Sequence, residues 1–115
     1  MTARLYGIKA CDTMKRARDW LDARGVAYEF YDYKVEGADP AKVADWVEKA
    51  GWETVLNRNG TTFRKLPDAR KQGLDANSAI ALMVEQPSMI RRPVLEAGDR
   101  LLVGFKPDVY AAAFG

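Results

Sequence analysis

The chain has 115 residues, 48% hydrophobic and 30% charged, which suffices for a genuine core and argues against disorder. Lys and Arg outnumber Asp and Glu by only 18 to 16, too small a surplus to predict a nucleic-acid or membrane surface. With no histidine and one cysteine, His-dependent catalytic arrangements, ordinary zinc sites and an internal disulfide framework are excluded.

Residues 4–8 alternate as a short strand does, and after Cys11 the apolar Met14, Ala17 and Leu21 recur at helical spacing. The first helix is predicted over about residues 13–24, capped by Asp12 or Thr13 and stopped at Gly25. Alternation over residues 27–33 predicts a second strand, and strand, helix, strand implies parallel pairing. Asp39 and Pro40 read as N-cap and first position of a helix that ends near Gly51, with Val43, Trp46, Val47 and Ala50 on one face. Residues 52–57 read as an irregular connection and Asn59-Gly60 as a turn; the charged stretch after Pro67 reads as a helix or loop broken at Gly73. An apolar helix over residues 74–85 is capped by Asp75 or Asn77 and ended by Gln86-Pro87. Residues 89–96 and 100–105 predict an antiparallel hairpin, and Lys106-Pro107-Asp108 opens a last helix that frays toward Gly115. Trp20, Trp46, Trp52, Tyr28, Phe30, Tyr31 and Tyr33 read as core and strand positions without chemistry. This order predicts an α/β, thioredoxin-like fold in one domain over residues 1–115, with a mixed four-stranded sheet and an inserted helical subdomain over about residues 39–86.

The chemistry is expected at Cys11. A thiol at a strand end, just where a helix starts, faces unpaired N–H groups and the positive end of the helix dipole, with Lys9 and Lys15 near in sequence. Such placement lowers a thiol pKa from about 8.5 toward roughly 4–7, although Asp12 opposes it unless its carboxylate serves the helix cap. The competing reading is a small buried residue. Cys11-Asp12-Thr13-Met14 fills a Cys-x-x-Cys frame with Met14 in place of the second thiol, so a resolving thiol must come from glutathione, a glutaredoxin or another chain. Arg91 and Arg92 precede Pro93 at the mouth of a strand, where a cis bond would turn Arg92 in a fixed direction; the alternative is a solvated basic pair before a trans proline. Arg58 and Arg64 flank the Asn59-Gly60 turn and Lys106 precedes Pro107; singly they read as surface charges, and with Cys11 they would form an anion pocket.

Four ordered blocks carry a resemblance: Tyr-Gly-Ile-Lys-Ala-Cys-Asp-Thr-Met-Lys-Arg-Ala at 6–17, Leu-Asn-Arg-Asn-Gly-Thr-Thr-Phe-Arg-Lys-Leu at 56–66, Ser-Met-Ile-Arg-Arg-Pro-Val at 88–94, and Val-Gly-Phe-Lys-Pro at 103–107. In these the chain resembles the arsenate reductase (ArsC) family, which includes Spx-type regulators, and especially its YffB-like branch. The resemblance implies a thioredoxin-like fold with a helical insertion and a nucleophilic cysteine at Cys11. It also implies three cationic positions around a bound oxyanion, which fall on Arg58, Arg92 and Lys106. The third is an arginine in arsenate-reducing members, and lysine keeps the charge without the bidentate fork. Spx-type regulators commonly carry a Cys-x-x-Cys switch and bind RNA polymerase, and Met14 departs from that pattern.

The expected function is therefore a thiol-dependent oxidoreductase with Cys11 and Arg92 catalytic, and Arg58, Lys106, Lys9, Thr13, Arg91 and Pro93 lining the anion site. Glutathione or a glutaredoxin-like donor is the expected partner, with no bound cofactor, metal, nucleic acid or membrane, and a monomer is expected. In the absence of a signal-peptide pattern or bilayer-spanning run, the expected compartment is the cytoplasm. The alternatives are a non-catalytic, Spx-like interaction module and a true arsenate reductase.

Overall fold

A computed structural model describes residues 2–114. In chain order the elements are β1 (Ala3–Gly7), α1 (Asp12–Ala23), β2 (Tyr28–Asp32), α2 (Tyr33–Glu36), α3 (Pro40–Ala50), α4 (Trp52–Val55), α5 (Thr61–Arg64), α6 (Asp68–Lys71) and α7 (Ala76–Glu85). A 3-10 turn (Pro87–Met89), β3 (Val94–Ala97), β4 (Arg100–Val103) and α8 (Pro107–Phe114) follow. They gather into two compact units, one from the chain up to Glu36 and from Arg92 onward, the other Gly37–Arg91.

The first unit holds the sheet, in the order β2-β1-β3-β4, with β1 parallel to β2 and the other pairs antiparallel. This is the mixed, four-stranded α/β arrangement of a thioredoxin-like fold. Alternation puts Ala3 and Leu5 on one face, where Met14, Ala17 and Leu21 of α1, Leu95 of β3 and Tyr110 of α8 join them in a buried cluster. On the other face Tyr6 stacks on Tyr31, ring centroids 5.3 Å apart, and its hydroxyl donates to the Glu96 carboxylate at 3.0 Å.

The helix starts at Asp12 rather than Thr13, and its N-cap is Cys11, not Asp12 or Thr13. Tertiary packing explains the difference. Met14 is fully buried against Gly7, where any Cβ would collide with its Sδ and Cε, and this contact fixes the register of the helix against β1. The second strand is also shorter than its alternation suggests, because Tyr33 begins α2 instead of extending β2. Pro93 cannot donate to the ladder, and β3 starts only after it. The Arg92–Pro93 peptide is cis.

In the second unit Asp39 accepts the Ala41 N–H at 3.0 Å with Pro40 at the first helical position, and Gly51 closes α3 at φ 89°. Asp75 and Ser78 form a reciprocal cap on α7. Val43, Trp46 and Val47 of α3 and Ala79, Leu82 and Met83 of α7 are buried. The stretch read as irregular at 52–57 contains α4 and a bridge from Leu56 to Ile90. Among the described residues no helix is long and apolar enough to cross a membrane. The predicted fraying at Gly115 lies outside them.

Two substitutions test this packing. Gly7→Ala is expected to cost about 1–3 kcal/mol of stability, and Gly7→Ala combined with Met14→Ala to cost less than the two changes separately, as measured by urea midpoints. The Tyr110 hydroxyl is fully buried with no hydrogen-bond partner among the described residues. Tyr110→Phe should therefore leave stability unchanged or raise it by up to about 1 kcal/mol, which the same measurement reads.

Candidate functional site

The sheet order brings three chain segments to one edge. Parallel pairing sets the carboxyl ends of β1 and β2 side by side, Gly7 opposite Asp32. Antiparallel pairing sets the start of β3 there too, Val94 opposite Tyr6. Cys11 follows β1, Tyr33 follows β2 and Arg92 precedes β3, so all three arrive at the carboxyl edge of the parallel strands. Ligands commonly bind at such an edge in α/β sheets.

Cys11 caps α1 with extended backbone (φ −145°, ψ 129°) and is partly exposed. No side-chain capping bond closes there, yet the N–H groups of Met14 and Thr13 act on the sulfur from the first turn. The thiol pKa is lowered. Burial is the largest single influence and pushes it up; the Met14 N–H, a hydrogen bond from the Arg92 guanidinium, the Thr13 N–H and the Arg92 charge together outweigh it.

Arg92 is partly buried, and hydrogen bonds to both Cys11 and Tyr33 help to hold its pKa above the ordinary value against desolvation. Tyr33 is 2% exposed, and burial pushes its phenol far up, with the neighbouring Arg92 charge opposing. Its hydroxyl stays protonated through any physiological pH. Behind it, the Asp32 carboxylate accepts the Lys34 N–H at 2.9 Å and the Lys9 N–H at 3.3 Å, tying the start of α2 to the loop that leads into Cys11.

The remaining candidates are placed as follows. Thr13 sits in the first turn of α1 and serves through its backbone N–H. Lys9 is exposed and Lys15 pairs with Asp19 at 2.9 Å, so Arg92 is the cation seen acting on the sulfur. Pro93 is buried, its carbonyl accepting the Gly104 N–H at 2.8 Å. Lys106 is exposed just before α8, three residues beyond the end of β4. In the second unit the Arg58 guanidinium lies 5.5 Å over the Trp52 ring, and Arg91 donates from Nε to the Thr54 carbonyl at 3.0 Å. Among the described residues no group of three or more Cys, Asp or Glu side chains is arranged to hold a metal ion.

Tyr33 was hidden in the sequence because it reads as the last residue of an aromatic, alternating strand. The usable signal was its position: the residue after a strand parallel to the one that leads to the thiol stands at the same edge as that thiol.

Residues 6–113 match the model of the ArsC family. The chain is 63% identical to the solved YffB protein, covering 98% of this chain and 99% of that one with a TM-score of 0.96. It is 53% identical to an arsenate reductase (ArsC) related protein from Brucella melitensis, covering 99% and 95% with a TM-score of 0.79. The global transcriptional regulator Spx of Streptococcus mutans is 26% identical over 90% of this chain and 77% of its own.

Because the folded thiol pKa is depressed, alkylation of Cys11 should inflect below the ordinary thiol value near 8.5, and Arg92→Gln should move the inflection upward by removing a hydrogen bond and a positive charge from the sulfur. Intact mass against pH reads this directly, since no other cysteine competes. By linkage, the thiolate's contribution to stability is fully present above the unfolded thiol pKa and is lost as pH falls through the folded one.

Proposed function

Because this chain belongs to the ArsC family, we propose that it is a thiol-dependent oxidoreductase whose single nucleophile is Cys11. One observation carries the reading: the Arg92 guanidinium is hydrogen-bonded to a partly exposed cysteine at the start of a twelve-residue helix, with two backbone N–H groups favouring the thiolate.

The Cys11 thiolate attacks one sulfur of a glutathione mixed disulfide, forming Cys11–S–S–glutathione and expelling the other sulfur as a thiolate. Arg92 is hydrogen-bonded to the Cys11 sulfur, and its guanidinium would stabilise the negative charge that sulfur carries before attack and after release. A second glutathione thiolate then attacks the mixed disulfide, releases Cys11 as thiolate and leaves glutathione disulfide. The external thiol is required because Met14 occupies the position from which an internal cysteine would resolve the intermediate. Glutathione is itself an anion with two carboxylates, which suits a cationic site.

The similarity to Spx favours a second reading, a module that binds a protein partner and needs no turnover at Cys11. Arsenate reduction is a third, with Lys106 standing where the family's arsenate-reducing members carry an arginine.

Turnover of a glutathione mixed disulfide, coupled to glutathione reductase, separates these readings. The wild type should turn over and Cys11→Ser should fall to background, with a single glutathione adduct trapped on the wild type by acid quench. Inactive wild type whose capture of a protein partner survives Cys11→Ser would put the module reading first. For arsenate, Lys106→Arg should raise turnover several-fold if the missing guanidinium limits oxyanion binding; no change means that it does not.

A further inference from the structure

Tyr33 is a buried tyrosine that the reaction above does not use. It is hydrogen-bonded to Arg92, and three features show that the contact is built rather than incidental. The ring is 2% exposed, so the hydroxyl has been withdrawn from water and its hydrogen bond to Arg92 replaces hydration. Its backbone is pinned by Asp32, whose two carboxylate oxygens accept N–H groups from Lys34 and Lys9, one on each flank of the site. Finally, the sheet register delivers it to the same edge as Cys11 and Arg92 from a different strand.

We infer that Tyr33 is a positioning residue for Arg92: its hydroxyl accepts from the guanidinium and holds that fork turned toward the Cys11 sulfur. This rests on the thiolate reading above. The choice of a phenol matters electrically. A half-buried arginine needs a partner for its spare N–H groups, and the commonest partner is a carboxylate. A carboxylate would bind the guanidinium tightly but cancel its charge at the sulfur, and would repel an anionic substrate. A hydroxyl kept neutral by burial takes the hydrogen bond and leaves the positive charge intact. The charged groups acting on Tyr33 are Arg92, Cys11 and Asp32; the Asp32 carboxylate acts by its charge and helps keep the phenol neutral, while its oxygens accept the Lys34 and Lys9 N–H groups.

The test is a double-mutant comparison in the pH dependence of Cys11 alkylation, using the full chain as wild type, Tyr33→Phe, Arg92→Gln and the double variant. Phenylalanine keeps the ring and its packing, and urea midpoints check that each variant is folded. Tyr33→Phe should raise the inflection by about half a unit or more, roughly a threefold loss of thiolate below it, and should add nothing once Arg92 is Gln. A Tyr33→Phe profile identical to wild type overturns the inference, and so does a shift of equal size in the Arg92→Gln background, which would mean that Tyr33 acts on the sulfur directly. A wild-type inflection at about 8.5 would fail the thiolate reading itself, and is distinguishable because it precedes any comparison of variants.

Discussion

The contact between the Arg92 guanidinium and the Cys11 sulfur depends on nearly everything else in the first unit. The two residues lie at opposite ends of the chain and meet because β1 is central, with β2 parallel on one side and β3 antiparallel on the other. Reversing β3 would send Arg92 to the far edge. The pairing also explains why a site without histidine can still produce a thiolate. The thiolate needs no proton acceptor held in place, only positive potential, and helix N–H groups plus a guanidinium supply it at every pH. Burial opposes this, and the sulfur is left partly open while its cation is partly closed in.

Much of the fold was legible because its signals were local. The positive-φ glycines after α1 and α3, the Asp39-Pro40 start and the apolar stripe Met14, Ala17, Leu21 each carry their own physical cause, and each element formed where that cause lies. Errors arose where long-range packing outweighs local preference. Aspartate and threonine are the better N-caps, yet Cys11 takes the position because Met14 must reach Gly7. Period-two alternation carried the second strand one residue too far, to Tyr33, because a buried aromatic at a strand end looks the same as one in the strand.

Of the candidate site, the meeting of Cys11 and Arg92 was legible in the sequence and Tyr33 was not. A cysteine before a helix and arginines before a proline announce themselves by residue type. Tyr33 announces nothing, since an aromatic residue in an aromatic run is ordinarily core. What marks it is the strand register, which sequence periodicity alone does not fix when three strands converge on one edge.

The position three residues after Cys11 carries two tasks that conflict in a Cys-x-x-Cys protein. Its backbone N–H faces the sulfur at the cap, a task any residue but proline performs. Its side chain here is buried completely against Gly7, and a thioether fills that space far better than a thiol would. A cysteine at 14 would leave a cavity under β1 and, to reach Cys11, would have to turn out of the core. Methionine commits the position to packing, and with it the chain to a single thiol. The helix terminus that lowers the Cys11 pKa is thus held in place by a residue that carries no thiol.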